Sequence, residues 1–347
     1  MREAFAIGGM SAAVWSVVLA AGAAWGQSPA AGPFHVAQEW KIGGDGFWDY
    51  MAVDPQSKLL YITHGNHVIV IDTTAGKQVA DITGLHGTHG VVFSSDGVHG
   101  YITDGGANQV AEFNRQTNTI EKTIPAGTGP DGAVFDPYTK TVWAFNGRSH
   151  DATVIDTQTN TVVATVALPG KPEFPVSDGA GFVYDNIEDK SEIVKLDAKA
   201  HTVVATWPVC DSPSGLAIDV AHHRLFSVCD GGKMAVVDTE SGKVVASPGI
   251  GNGPDAAGFS PDDQDAFSSN GQSGTLTVVH EDGPDHYSVV QNLETKRGAR
   301  TMAVDPDGSH VYLVTAEFGP RPEPTAENPR PRPPMVPGSF EIVVVSK

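Results

Sequence analysis

One phrase recurs along the chain: AVDP at 52–55, VFSS at 92–95, VFDP at 134–137, AIDV at 217–220, GFSP at 258–261 and AVDP at 303–306. A seventh copy is found by aligning KPEFPVSDG from Lys171 with GPDGAVFDP from Gly129. The equivalent positions are then Asp54, Ser94, Asp136, Asp178, Asp219, Ser260 and Asp305, spaced by 40, 42, 42, 41, 41 and 45 residues. A period of this size belongs to a propeller blade or a helical-pair solenoid. Within each repeat, as in GAVFDP, TVWAFNG, ATVIDTQTN and TVVATVALPG, there are four short β-rich runs separated by Asp-Pro, Asp-Gly and Asn-Thr turn chemistry. Alternating Val, Ile, Thr and Tyr exclude the solenoid, which needs apolar residues at helical spacing. The expectation is an all-β, seven-bladed β-propeller with four antiparallel strands per blade.

The seventh repeat lacks one strand before the chain ends. The segment FHVAQEWKI, residues 34–42, alternates as an outer strand should, so it is expected to complete the last blade. Closing the ring with both termini removes an open sheet edge.

The repeats YITHGNHVIVIDTTAGKQVADI at 61–82, YITDGGANQVAEFNRQTNTIEKTI at 101–124 and VWAFNGRSHDATVIDTQTNTVVATV at 142–166 resemble the YVTN family of β-propeller repeats. Unlike Trp-Asp-repeat propellers, no Trp-Asp pair closes the third strand. The resemblance implies an exported or cell-surface propeller and carries over no catalytic residue. Similar repeats occur in subunits of quinoprotein amine dehydrogenases, in seven-bladed lactonases and in surface-layer proteins.

The N-terminus reads as a signal peptide over residues 1–26: Arg2, an uncharged run from Ala4 to Ala24, and Ala24-Trp25-Gly26 as a small-x-small cleavage site. Residues 27–347 then form one propeller domain, periplasmic or secreted, with no other segment able to span a membrane. An uncleaved anchor helix is the rival reading of the first run. The formal charge of −19 argues against nucleic acid, whose affinity comes from Lys and Arg neutralising phosphates. A monomer that meets a small polar molecule or another exported protein is expected.

Repeat register names the residues around the channel mouth. The starts of the inner strands carry Asp49, His89, Asp131, Glu173, Ser214, Asp255 and Arg300. The ends of the second strands carry His64, Asp104, Asn146, Asn186, Cys229, Asn270 and Thr315, with Glu317 two residues on. Polar residues at strand ends also simply cap turns. Read functionally, Asp131, Asn146, Glu173, Asn186, Asp255, Asn270, Arg300 and Glu317 are a ligand-binding rim, since amides, carboxylates and a guanidinium suit a small polar molecule. Asp49, His64, His89 and Asp104 combine two imidazoles with two carboxylates, a donor set for a divalent metal, and His86 is an alternative to His89. Cys210 and Cys229 fall near one rim; a disulfide, two free thiols or a metal pair are the options, with the disulfide fitting an oxidising compartment. The Pro-rich stretch 317–337, with Arg321, Arg330 and Arg332, replaces a short turn of blade seven and reads as a rim insertion, a lid or a docking strip. Two functions follow: a binding or interaction protein, or a metal-assisted hydrolase of lactonase type that activates water with the blade-one and blade-two group.

Overall fold

The computed structural model describes Met1 and residues 32–347 except 326, 327, 330 and 332, so the expected signal peptide and two of the three insertion arginines lie outside the described residues. Among the described residues there are seven four-stranded antiparallel sheets, and the one helical turn is a 3₁₀ segment at Glu188–Lys190. No helix among the described residues is long and apolar enough to cross a membrane. In six blades the four strands follow in sequence order, as in blade one: Trp48–Val53, Leu59–His64, His67–Asp72 and Lys77–Ile82. Blade seven is assembled from both ends of the chain. Strand His35–Lys41 pairs antiparallel with Glu341–Ser346, from His35 opposite Ser346 to Lys41 opposite Glu341.

Burial follows from each sheet's position in the stack. The third strand of blade one, HVIVID, is buried along its four central residues because both faces meet neighbouring sheets, whereas the outer strand KQVADI is largely exposed. The core is divided into interblade layers. One joins Leu60, Ile62 and Ile71 of blade one to Val314, Ile342 and Val344 of blade seven, which welds the closing blade to the first.

At the axis the inner strands approach so closely that some positions admit no side chain. A Cβ on Gly132 would stand 2.5 Å from Glu173 O, and one on Gly215 would stand 2.4 Å from Ala257 N. Glycine at these two places lets adjacent inner strands touch backbone to backbone.

Candidate functional site

The inner strands begin at one face, and there the register residues Asp49, His89, Asp131, Glu173, Asp255 and Arg300 are brought together. His89 Nδ1 lies 2.7 Å from Asp49 Oδ2 and 3.5 Å from Asp131 Oδ1. One ligand atom from each of these three residues falls within 4.8 Å of the others, and all three side chains are partly open to solvent. Burial works against a charge on His89, but the Asp49 hydrogen bond and the Asp131 and Asp49 charges outweigh it, so its pKa rises. Burial, followed by repulsion from Asp49, pushes Asp131 up to about 6.

The ring continues with Glu173, which Lys171 Nζ contacts at 3.1 Å. Desolvation and the charge of Asp131 override that lysine and raise Glu173 to about 8. Arg300 forms an ion pair with Asp255 and donates to Trp48 O at 3.4 Å, while Ser214 Oγ donates to Asp255 O at 3.1 Å. Burial raises the Asp255 pKa although the Arg300 charge opposes it. Carboxyl groups thus outnumber cationic ones around the mouth.

The second ring is placed elsewhere. His64, Asp104, Asn146, Asn186, Cys229, Asn270 and Thr315 are all at most 1% exposed. Most of them pair directly with the inner-strand starts, as Trp48 with His64 and Pro130 with Asn146, and so sit one layer out, beneath the loops that lead into those strands. Asn186 donates to Ser214 O at 2.7 Å and accepts from Ser227 Oγ at 2.9 Å. Asn270 donates to Thr277 Oγ1 at 2.9 Å and accepts from Ser268 Oγ at 2.8 Å. Asn146 donates to Asp151 Oδ1 at 2.6 Å. These amides tie strands and blades together rather than facing the mouth.

The four residues expected to share a metal are therefore divided. Asp49 and His89 stand together and take Asp131 as their third member. His64 turns away, with its Nδ1 3.1 Å from His67 Nε2 and its Nε2 buried without a hydrogen-bond partner. Asp104 accepts from Gln109 at 2.9 Å and from the His86 N–H at 2.9 Å. His86 thus serves Asp104 and does not replace His89. The physical reason is depth: strand starts look into the channel, whereas second-strand ends look into the junction with the covering loops.

Cys210 and Cys229 form a disulfide with Cα atoms 5.9 Å apart, which ties the approach to the inner strand Pro213–Asp219 to the end of Arg224–Cys229. The Pro-rich insertion runs between the second and third strands of blade seven. Its base is a short ladder in which Val336 N donates to Glu317 O and Gly319 N to Pro334 O, each at 2.8 Å. Glu317 itself is exposed and stands in a groove with Lys296, Arg297 and Glu341, outside the channel ring. Phe318 packs on Trp48 at 6.1 Å, and with Arg321 and Pro333 it walls a groove of about 930 Å³ whose other side includes Asp255 and Arg300. The insertion thus overhangs one side of the mouth.

Register reasoning did not identify Asp185. It lies mid-strand in Phe182–Ile187, fully buried, with neither carboxyl oxygen hydrogen-bonded. Burial, then the Glu173 charge, drives its pKa well upward. The available signal was an acid inside the run FVYDNI, where a strand flanked by two blades has no water to offer it.

No family model matches the chain. The uncharacterized protein YncE of Salmonella typhimurium (strain LT2) is 23% identical over 193 residues, which are 53% of this chain and 53% of that protein. The chain thus spans about half the length of the curated relative it matches. A chain of Kuenenia stuttgartiensis hydrazine synthase superposes with a TM-score of 0.67 at 16% identity, covering 78% of this chain and 93% of that one. At this identity the likeness to the solved structure is one of fold.

Proposed function

We propose that this chain is an exported propeller, with repeats of the YVTN kind, that binds a small polar ligand at its channel mouth through a divalent cation. The observation that carries this reading is the convergence of Asp49, His89 and Asp131 within 4.8 Å at the start of three successive inner strands. Imidazole plus two carboxylates suits Zn²⁺ and its first-row neighbours. The groove under the insertion, with Arg300 and Arg321 on its walls, offers room and positive charge for the anionic part of a ligand. Export is supported by Arg2, the uncharged run after it and the small-x-small site. The Cys210–Cys229 disulfide fits the same oxidising compartment.

A three-donor set also leaves coordination positions for water, and this favours a second reading in which the same centre hydrolyses a lactone or related ester. Metal analysis of the protein purified from its native compartment tests both. His89→Ala and Asp131→Asn are expected to lose the bound metal, and His64→Ala to keep it. Retention of metal in His89→Ala would refute the site. Lactone turnover that disappears with the metal selects the hydrolase, and ligand capture without turnover selects the binding protein.

A further inference from the structure

At the face opposite the mouth, a position at or just beyond the end of the third strand recurs in blades two to six. Arg115, Thr157, Ala198, Thr239 and Glu281 share it, each donating its backbone N–H to the residue before the second strand, at 2.8 to 3.2 Å. In blades two and six it faces the repeat-phrase acid of the preceding blade. Between blades one and two the pair is Arg115 with Asp54, both buried, and the guanidinium Nε donates to Asp54 Oδ2 at 3.1 Å. Between blades five and six the same two positions hold Glu281 and Asp219, 6% and 2% exposed. Two acids occupy the place of an ion pair.

Arg224 does not supply the missing charge, and His222 reaches both acids with one ring nitrogen. The guanidinium of Arg224 is committed to Asp238 at 2.6 Å and Asp285 at 2.7 Å. His222 Nδ1 has a single hydrogen to give; it lies 2.6 Å from Asp219 Oδ2 and 3.2 Å from Glu281 Oε2. That hydrogen goes to Asp219. Glu281 Oε2 is left buried without a hydrogen bond, aimed at the other two groups. Asp219, His222 and Glu281 each bring one donor atom within 4.8 Å of the rest. The His222 ring borders an open groove of about 290 Å³, so solvent reaches the cluster.

We infer that Asp219 Oδ2, His222 Nδ1 and Glu281 Oε2 bind a divalent cation of the Zn²⁺ type, a second metal site that staples blade five to blade six. The cation does for this junction what the Arg115 guanidinium does for Asp54. On binding, Nδ1 gives its ring hydrogen up, Nε2 carries one toward solvent, and water from the groove completes the coordination.

The test uses the full chain, stripped with a chelator, carrying His89→Ala so that the channel-mouth donor is absent. Zn²⁺ titration by calorimetry is expected to show binding, and thermal unfolding to shift upward with it. Adding Glu281→Gln or His222→Ala is expected to weaken binding at least tenfold and abolish that shift. Mn²⁺ is expected to bind more weakly than Zn²⁺. Glu281→Arg supplies the guanidinium found between blades one and two, so it is expected to raise the metal-free Tm and remove the response to Zn²⁺. If that variant does not fold, the near-isosteric Glu281→Gln and the solvent-facing His222→Ala decide alone. Absence of Zn²⁺ binding in the His89→Ala protein, or binding undiminished by Glu281→Gln and His222→Ala, would overturn the site.

Discussion

A neutral imidazole fits the surroundings of His64 and a charged one does not. The ring is 1% exposed, stacks edge-on to Phe340 at 4.7 Å, and takes its polar contact from another histidine. Burial, then the neighbouring His67, lowers its pKa from 6.5 to about 4. Between those values the unfolded chain binds a proton that the folded chain refuses, so stability must fall as pH drops from 6.5 toward 4. The shift corresponds to about 3 kcal/mol at the acid end of that window. His64→Gln has nothing to titrate there, and denaturant melts at pH 4 and 6.5 are expected to show a pH loss smaller by roughly that amount. An unchanged slope would mean that His64 already carries charge in the fold. The same residue marks the limit of what sequence shows about the site. Register brings Asp49, His89, Asp131, Glu173, Asp255 and Arg300 to the same end of their strands, because strand starts repeat with the blade. It could not separate a mouth from the layer beneath it, because the depth of His64 and Asp104 depends on how the preceding loops fold back over them.

The inner strand is the element on which the architecture depends. Its start supplies the ring, its middle must approach the next blade, and its end carries the repeat-phrase acid. Gly215 shows how tight the middle is, since an added methyl would meet backbone atoms of Ala256 and Ala257 and no flexible side chain. Gly215→Ala is therefore expected to cost on the order of 1–3 kcal/mol, because blades five and six must part to admit it. Urea unfolding would register this as a lower midpoint with an unchanged slope. A neutral result would mean that the two blades can slide apart freely. These elements were legible because period-two alternation and turn residues repeat seven times over. The completing strand was legible for a different reason: the last repeat ran out of chain, and residues 34–42 were the unassigned alternating run. Asp185 escaped notice because the position does not repeat in kind: the other blades carry Ile62, Ile102, Ala144, Ser227, Ser268 and Leu313 there, so register alone does not mark a buried acid.

At the scale of the molecule the ring is held by one antiparallel pairing between its ends. Removing residues 35–41 would expose the strand Glu341–Ser346, whose first five residues are buried, as an unpaired edge. Such a strand is a template for another chain. The truncated protein is expected to elute as dimers or larger species in size-exclusion chromatography, and a stable monomer would show that blade seven tolerates three strands.

That pairing also sets an order of events. Six blades are built from hairpins between sequence neighbours, which meet quickly because short loops close at little entropic cost. The seventh joins residue 35 to residue 346, across nearly the whole described chain. The ring therefore seals last, and only once the final strand is free to pair. A circular permutant opened between two other blades would keep every contact and move that last step to a new seam.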